Sequence, residues 1–234
     1  MIKRLFHLLP VILLVLFGSC NPVTKLINSD DVLRWEQDMQ VFDSLNAAED
    51  SDEKTLLVTG SSSIRLWDHI HEDLAPFEVM QRGYGGAKLT DFNHFAHRII
   101  KSQQFKGILI FVANDIAGGE YDKSPKEVFQ LYKALIKQIR ERNPNTPIFW
   151  IEVTPTPSRW HAIGEIREAG DLIKNYCKKS EDLFFIDTYD RFMTSNGEPD
   201  PNLFRSDMLH LNLGGYELWT EIILSALEEE GIKP

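Results

Sequence analysis

Five short apolar runs, separated by amphipathic helical patterns, limit the folds open to this chain more than any other feature of its sequence. Uninterrupted apolar runs of this length are typical of strands that are buried on both faces of a sheet. The runs occupy residues 56–58, 77–80, 107–113, 147–153 and 183–186. Because helical patterns lie between successive runs, we expect parallel strands joined by right-handed crossovers, with helices on both faces of the sheet.

The segments around these runs place apolar residues at helical spacing. They predict helices over residues 32–46, 89–100, 128–139, 162–178 and 215–229. The third helix has the best-marked start, because Ser124 and Glu127 form a capping-box pattern with Pro125 in the first helical position. Strands and helices in this order predict an α/β protein, a three-layer α/β/α sandwich around a parallel sheet.

The first 20 residues have the three-part form of an export signal. Lys3 and Arg4 supply positive charge, an apolar stretch covers residues 8–17, and Gly18-Ser19-Cys20 follows immediately. The apolar stretch is too short to span a bilayer comfortably, so a cleaved signal peptide over residues 1–20 is expected in place of a transmembrane helix.

Small residues directly before a cysteine resemble a bacterial lipobox, although Phe17 stands where leucine is commoner. We expect cleavage to leave Cys20 as a lipidated N-terminus that anchors the exported protein to a membrane of the cell envelope, with residues 21–30 as a tether. The alternative is ordinary cleavage near Ser19, with Cys20 as a bystander. Residues 31–234 are expected to form a single domain.

Charge and cysteine content disfavour several classes of function. The chain has 25 basic and 35 acidic residues, a formal net charge of −10. A chain this acidic repels phosphate backbones and has no basic cluster after the leader, so nucleic-acid binding is disfavoured. Cys177 lies in an apolar helical pattern and is interpreted as a buried small hydrophobe. No Cys/His spacing indicates a metal site, and no cofactor is expected.

Polar residues and glycines follow the predicted strands, where ligands of parallel α/β sheets bind. Ser62 lies at a strand-to-helix junction, where its hydroxyl can face the cleft near free backbone N–H groups. A hydroxyl needs a base to become a nucleophile, and His210 has Asp207 three residues before it to orient the imidazole. Asn114 can offer side-chain N–H groups to an oxygen that gains charge.

Each of these residues taken alone has an ordinary structural interpretation. Ser62 could be a helix cap, Asn114 a turn residue and His210 a structural histidine. Their joint order at successive strand ends favours the functional interpretation.

In that order the blocks resemble the SGNH, or GDSL-type, hydrolase superfamily over roughly residues 54–228. The family order is a nucleophile serine, a glycine, an asparagine and a C-terminal Asp-x-x-His. The resemblance implies a flavodoxin-like fold with a five-stranded parallel sheet. It also implies that Ser62 is the nucleophile and that Asp207 and His210 complete its triad. The implied oxyanion hole consists of the N–H groups of Ser62 and Gly86 and the side chain of Asn114.

Two positions depart from the family pattern. Ser61 replaces an aspartate that is not the triad acid, and it could still cap the following helix. Val112 stands where the family often has glycine, which could shift the path of the chain into Asn114.

Together these features predict a serine ester hydrolase that works through an acyl-enzyme. No large apolar insertion suggests a lid for long acyl chains, so the expected substrate is a short-acyl or acetyl ester, including one carried by a small molecule or a glycan. A lysophospholipase or lipase-type acylhydrolase is the alternative. An acyltransferase and a non-catalytic envelope binding protein on the same fold also stay open.

Arg159 is the further candidate for substrate binding, because it follows a rigid proline-rich turn after the fourth predicted strand. Its alternative role is an ion pair with Glu165 or Asp171.

Overall fold

A computed structural model describes residues 30–49, 52–100 and 104–234 of the chain. The predicted leader, Cys20 and the predicted tether up to residue 29 lie outside these residues. Within the described ranges, no helix is both long enough and apolar enough to cross a membrane.

The central sheet of the described residues has five strands, all parallel. They are β1 (Thr55–Gly60), β2 (Glu78–Gly83), β3 (Gly107–Phe111), β4 (Ile148–Ile151) and β5 (Leu183–Ile186). Their spatial order is β2-β1-β3-β4-β5, which is the flavodoxin-like order. The predicted three-layer α/β/α sandwich with a five-stranded parallel sheet is confirmed. This order places the topological switch point, where such sheets bind ligands, between β1 and β3.

Helices cover both faces of the sheet. They are α1 (Glu36–Ala48), α2 (Ser62–Arg65), α3 (Ile70–Asp73), α4 (Leu89–Ile99), α5 (Pro125–Arg142), α6 (Ile163–Cys177) and α7 (Leu213–Glu229). Short 3₁₀ turns lead into α1 (Asp30–Trp35) and into α6 (Pro157–Ala162). Apolar side chains of α1, α4, α5 and α6 pack on one face of the sheet, and those of α2, α3 and α7 pack on the other.

The strands are apolar without interruption because both of their faces are covered. Every residue of β1, β3 and β4 is buried. Leu57 and Ile110 belong to the core under α1, α4, α5 and α6, whereas Leu56 and Leu109 belong to the core under α2 and α7. Successive side chains of a strand point to opposite faces, and helices cover both faces here. The side chains on both faces are therefore buried, so these strands do not alternate apolar with polar residues.

Two arginines fasten α1 to the rest of the fold. The side chain of Arg82 on β2 is 1% exposed and pairs with Glu49 at 2.8 Å. Arg98 on α4 pairs with Glu36 at 2.7 Å and with Asp43 at 2.6 Å. A cation as deeply buried as Arg82 needs such a partner, so the N-terminal helix is an integral part of the sandwich.

Gly60 ends β1 in a backbone conformation, φ +142°, that residues with a side chain rarely adopt. A Cβ at this position would overlap the carbonyl oxygen of Phe111 on the neighbouring strand. We therefore expect Gly60→Ala to lower the free energy of unfolding by about 3 kcal/mol or more, through backbone strain and steric overlap. Urea or thermal unfolding followed by circular dichroism measures the effect.

Gly164→Ala is the matched control for this substitution. Gly164 is exposed in the first turn of α6, and an added Cβ meets no atom within 4 Å. Its replacement is expected to leave stability unchanged or to raise it by up to about 1 kcal/mol. Equal stability of the two variants would contradict the close approach of Gly60 to β3.

Candidate active site

Ser62 lies at the carboxyl end of β1, as the first residue of α2. The N–H of Ser61 donates to the carbonyl oxygen of Phe111 on β3 at 2.8 Å, which holds this strand-to-helix junction against the centre of the sheet. The side chain of Ser61 makes no capping hydrogen bond, so the cap predicted for it is not formed. Half-buried Ser62 lines a cavity at the carboxyl ends of the strands, and its N–H lies in the first helical turn, where the helix supplies no acceptor.

The imidazole of His210 lies between the Ser62 hydroxyl and the Asp207 carboxylate. Its Nε2 is 2.9 Å from Oγ of Ser62, and its Nδ1 is 2.7 Å from Oδ2 of Asp207. Both distances are those of hydrogen bonds. The chain brings Ser62 and His210 together across 148 residues. The three side chains have the relative geometry of a nucleophile, a base and an acid that orients the base.

The carboxylate of Asp207 also organises the turn in which it lies. Its Oδ1 accepts hydrogen bonds from the N–H groups of Leu209 and His210, both at 3.0 Å. Partial burial would raise the pKa of Asp207, but these two bonds and the bond from the imidazole outweigh it and lower the pKa to about 2. Asp207 is therefore ionised at any pH at which the fold is expected to work, as an orienting acid must be.

The turn that carries the carboxylate and the imidazole is held from two sides. Arg205 donates to the carbonyl oxygens of Leu66 at 3.3 Å and Leu211 at 2.9 Å, which links the turn to the segment after α2. The N–H of Ser158 donates to the carbonyl oxygen of Met208 at 3.0 Å. These contacts tie the turn to two neighbouring segments of the fold.

Asn114 follows β3 and lines the same cavity as Ser62 and His210. Its Nδ2 donates to the carbonyl oxygen of Ala87 at 2.9 Å. An amide nitrogen carries two N–H groups, so a second N–H is left for a ligand in the cavity. The valine at position 112 is buried in the core and does not keep Asn114 away from the cavity.

The lining of this cavity does not include Gly86, and the loop of Gly86 reaches the site through the carbonyl oxygen of Ala87. Gly86 has φ +69°, a left-handed conformation that favours glycine. Trp35, just before α1, packs against it, since a Cβ on Gly86 would lie 3.4 Å from the Trp35 ring. No local pattern in the sequence connects Trp35 with this loop. The role of Gly86 as an oxyanion donor stays a prediction.

Arg159 lines the cavity and directs its guanidinium at protein oxygens. It donates to the carbonyl oxygen of Ala113 at 2.5 Å and to Oδ1 of Asn114 at 2.6 Å. Among the described residues it forms no ion pair with Glu165 or Asp171, so that alternative role is wrong. Burial lowers the pKa of Arg159 from its ordinary value. Its predicted contact with substrate stays a prediction.

The remaining walls of the cavity are mainly core residues that the sequence could not mark as functional. They include Phe111, Val153, Thr154, Leu209, Leu211 and Trp219. The indole N–H of Trp219 on α7 donates to Oγ1 of Thr154 at 2.9 Å, which closes one side. The cavity measures about 20 Å³. Over the ranges that the structure describes, no group of three or more His, Cys, Asp or Glu side chains could hold a metal ion.

Comparison with known proteins places this geometry in a family. The sequence profile of the GDSL-like lipase/acylhydrolase family matches residues 43–218, which is most of the chain. The chain belongs to the GDSL-like lipase/acylhydrolase family. It is accordingly an ester hydrolase. The residues that line the cavity at Ser62 lie within the matched segment, except Trp219, which directly follows it. A search of curated proteins finds no significant match.

Solved structures share the fold of this GDSL-family chain at low sequence identity. A Bacteroides fragilis protein provisionally named an acylhydrolase has 20% identity and a TM-score of 0.70, over 81% of this chain and 95% of that one. A GDSL-like lipase from Bacteroides thetaiotaomicron has 18% identity and a TM-score of 0.64, over 82% and 97%. A carbohydrate esterase family 3 protein from Talaromyces cellulolyticus has 13% identity and a TM-score of 0.57, over 77% and 99%.

Proposed function

We propose that this GDSL-family protein cleaves short-acyl or acetyl esters through an acyl-enzyme on Ser62, with His210 as the base and Asp207 as its orienting acid. The observation that carries the proposal is the hydrogen-bonded line from Ser62 Oγ through the imidazole to Asp207, with distances of 2.9 Å and 2.7 Å. A serine hydroxyl is a weak nucleophile unless a base lies within hydrogen-bond reach and a third group orients that base.

The proposed reaction assigns one role to each of these groups. Oγ of Ser62 attacks the ester carbonyl carbon while Nε2 of His210 takes the hydroxyl proton. The carbonyl oxygen becomes negative and receives hydrogen bonds from the N–H groups of Ser62 and Gly86 and from Asn114. The bond to the alcohol then breaks, and His210 gives its proton to the leaving oxygen. His210 next takes a proton from a water molecule as that water attacks the acyl carbon. The bond from the acyl carbon to Oγ of Ser62 then breaks, His210 gives the proton to Oγ, and the acid is released.

The size of the cavity at Ser62 supports a small acyl group. The cavity measures about 20 Å³, which compares with the ~10–15 Å³ that one water molecule needs. Buried Phe111 and Trp219 form apolar walls, which suit an acetyl methyl group and limit the depth open to a longer chain. The fold shared with a carbohydrate esterase supports, by analogy, an ester carried by a carbohydrate.

A second cavity favours a lysophospholipase or lipase-type acylhydrolase as the second candidate. It measures about 30 Å³, lies between β4, α5, α6 and the segment that follows β3, and has mainly apolar lining residues. It shares Ala113 and Val153 with the cavity at Ser62. If these two side chains moved apart, a longer acyl chain would extend from Ser62 into this space.

Acyl-chain preference separates the two candidates. We expect kcat/KM on p-nitrophenyl esters to fall by at least about ten-fold from acetate to octanoate, because methylenes that find no space weaken transition-state binding. Initial rates of the purified protein, corrected with Ser62→Ala as background, measure the profile. Acetylated oligosaccharides and a lysophospholipid then serve as natural-type substrates. An optimum at octanoate together with lysophospholipid turnover would replace the short-acyl proposal with the lipase-type one.

A further inference from the structure

The guanidinium of Arg159 is a partly buried cation whose hydrogen bonds go to neutral oxygens. It donates to the carbonyl oxygen of Ala113 at 2.5 Å and to Oδ1 of Asn114 at 2.6 Å. Within the described residues no carboxylate forms an ion pair with it. Even partial burial of a charge is costly unless other groups compensate it. The cavity that Arg159 lines is the place where an ester oxygen at Ser62 would become negative.

Arg159 also decides which way the amide of Asn114 faces. The oxygen and nitrogen of an asparagine amide have nearly the same shape, so hydrogen-bond partners select the orientation. Here a donor from Arg159 meets Oδ1, and the carbonyl oxygen of Ala87 accepts from Nδ2 at 2.9 Å. The reversed amide would place its N–H groups against the N–H groups of the guanidinium, and its oxygen against the carbonyl oxygen of Ala87. Donor would then face donor and acceptor would face acceptor, so both contacts would be repulsive.

We infer that Arg159 is a positioning residue for the oxyanion hole and acts through Asn114. This inference rests on the proposed function. The guanidinium holds the Asn114 amide with its free N–H toward the cavity. Its charge also withdraws electron density from the amide oxygen, which makes that N–H a stronger donor to the developing oxyanion. Arg159 does this without contacting the substrate.

A double-mutant cycle on p-nitrophenyl acetate, a neutral ester, tests the inference. Asn114→Ala is expected to lower kcat by about 10²- to 10³-fold, the usual effect of losing one oxyanion donor. Arg159→Met is expected to lower kcat by about ten-fold or more, but by no more than Asn114→Ala, with KM changed by less than roughly two-fold. In the double variant kcat is expected to equal that of Asn114→Ala, because Arg159 has no further donor to position.

Two further variants make the cycle specific. Arg140→Met is the matched control. Arg140 also donates to carbonyl oxygens, those of Asn143, Thr146 and Asp182, but these lie toward the amino ends of β4 and β5, away from Ser62. This variant should leave kcat unchanged. Arg159→Lys keeps the charge but cannot hold both acceptors with one rigid fork, so an intermediate kcat is expected. If Arg159→Met fails to fold, as circular dichroism reports, Arg159→Lys takes its place in the cycle.

Each outcome decides the inference. Additive losses in the double variant, or a raised KM with an unchanged kcat for Arg159→Met, would overturn it and leave Arg159 a substrate-binding or independent residue. If the wild-type protein is active and the losses of the two single variants add in the double variant, the role of Arg159 is overturned but the proposed function is not. A wild-type protein no more active than Ser62→Ala overturns the proposed function and this inference with it.

Discussion

Replacing Ser62 with alanine is expected to lower esterase turnover by roughly 10⁴- to 10⁶-fold, because the acyl-enzyme cannot form without the hydroxyl oxygen. The fold should be nearly unaffected. Ser62 is half-buried, and its hydroxyl is 2.9 Å from the imidazole of His210, so the loss of this hydrogen bond should change stability by no more than about 1 kcal/mol. Turnover of p-nitrophenyl acetate and thermal melting measure the two effects.

A fluorophosphonate that labels active serines provides the independent readout for Ser62. The wild-type protein should take up one label, and Ser62→Ala should take up none. Ser225→Ala is the control, because Ser225 is exposed on α7 and bonds to Glu229. This control should label and turn over as the wild type does. A Ser62→Ala protein with near wild-type turnover would remove Ser62 from the mechanism.

Replacing Asp207 with asparagine is expected to lower kcat by about 10³- to 10⁴-fold with little change in the fold. The amide oxygen of an asparagine can still accept from the N–H groups of Leu209 and His210, so the turn should persist. Its amide nitrogen would then face Nδ1 of the imidazole, which selects the tautomer with a proton on Nε2. A protonated Nε2 could not accept the proton of the Ser62 hydroxyl. Turnover and melting temperature test both halves of this expectation.

Asp200→Asn is the matched control for Asp207→Asn. Asp200 also accepts a backbone hydrogen bond within a turn, from the N–H of Asn202 at 3.0 Å, but it does not line the cavity. The same chemical change there should leave turnover and stability nearly unchanged. If Asp207→Asn kept more than about a tenth of the wild-type kcat, Asp207 would be a turn residue and another group would orient the imidazole.

Much of the fold is predictable from apolar periodicity. β5 coincides with the apolar run at residues 183–186, and α6 lies within the helix predicted over residues 162–178. The last helix begins at Leu213, two residues before the predicted start, because the side chain of Asn212 accepts from the N–H of Gly215 and caps it. The first predicted helix begins as a 3₁₀ turn, a difference that apolar spacing does not reveal.

The candidate site is predictable in its residue types but not in their contacts. Ser62, Asn114 and His210 stand at strand ends or before a helix in an order that a known family shares. The partners of Arg159 were not predictable, because sequence proximity pointed only to the nearby carboxylates of Glu165 and Asp171. Its actual acceptors, Ala113 and Asn114, precede it by 46 and 45 residues.

By itself, the sequence determined the class of fold and the chemistry available at the strand ends. Burial on both faces requires apolar strands, and a polar residue at a strand-to-helix junction can face the cleft at the strand ends. Only the tertiary structure decided which face each helix covers, how small the cavity is and which oxygen each side chain meets. These contacts join segments from 27 to 148 residues apart, as for Asn114 with Ala87 and Ser62 with His210. Hydrogen-bond partners at such separations depend on the relative placement of packed elements, and no local periodicity records that placement.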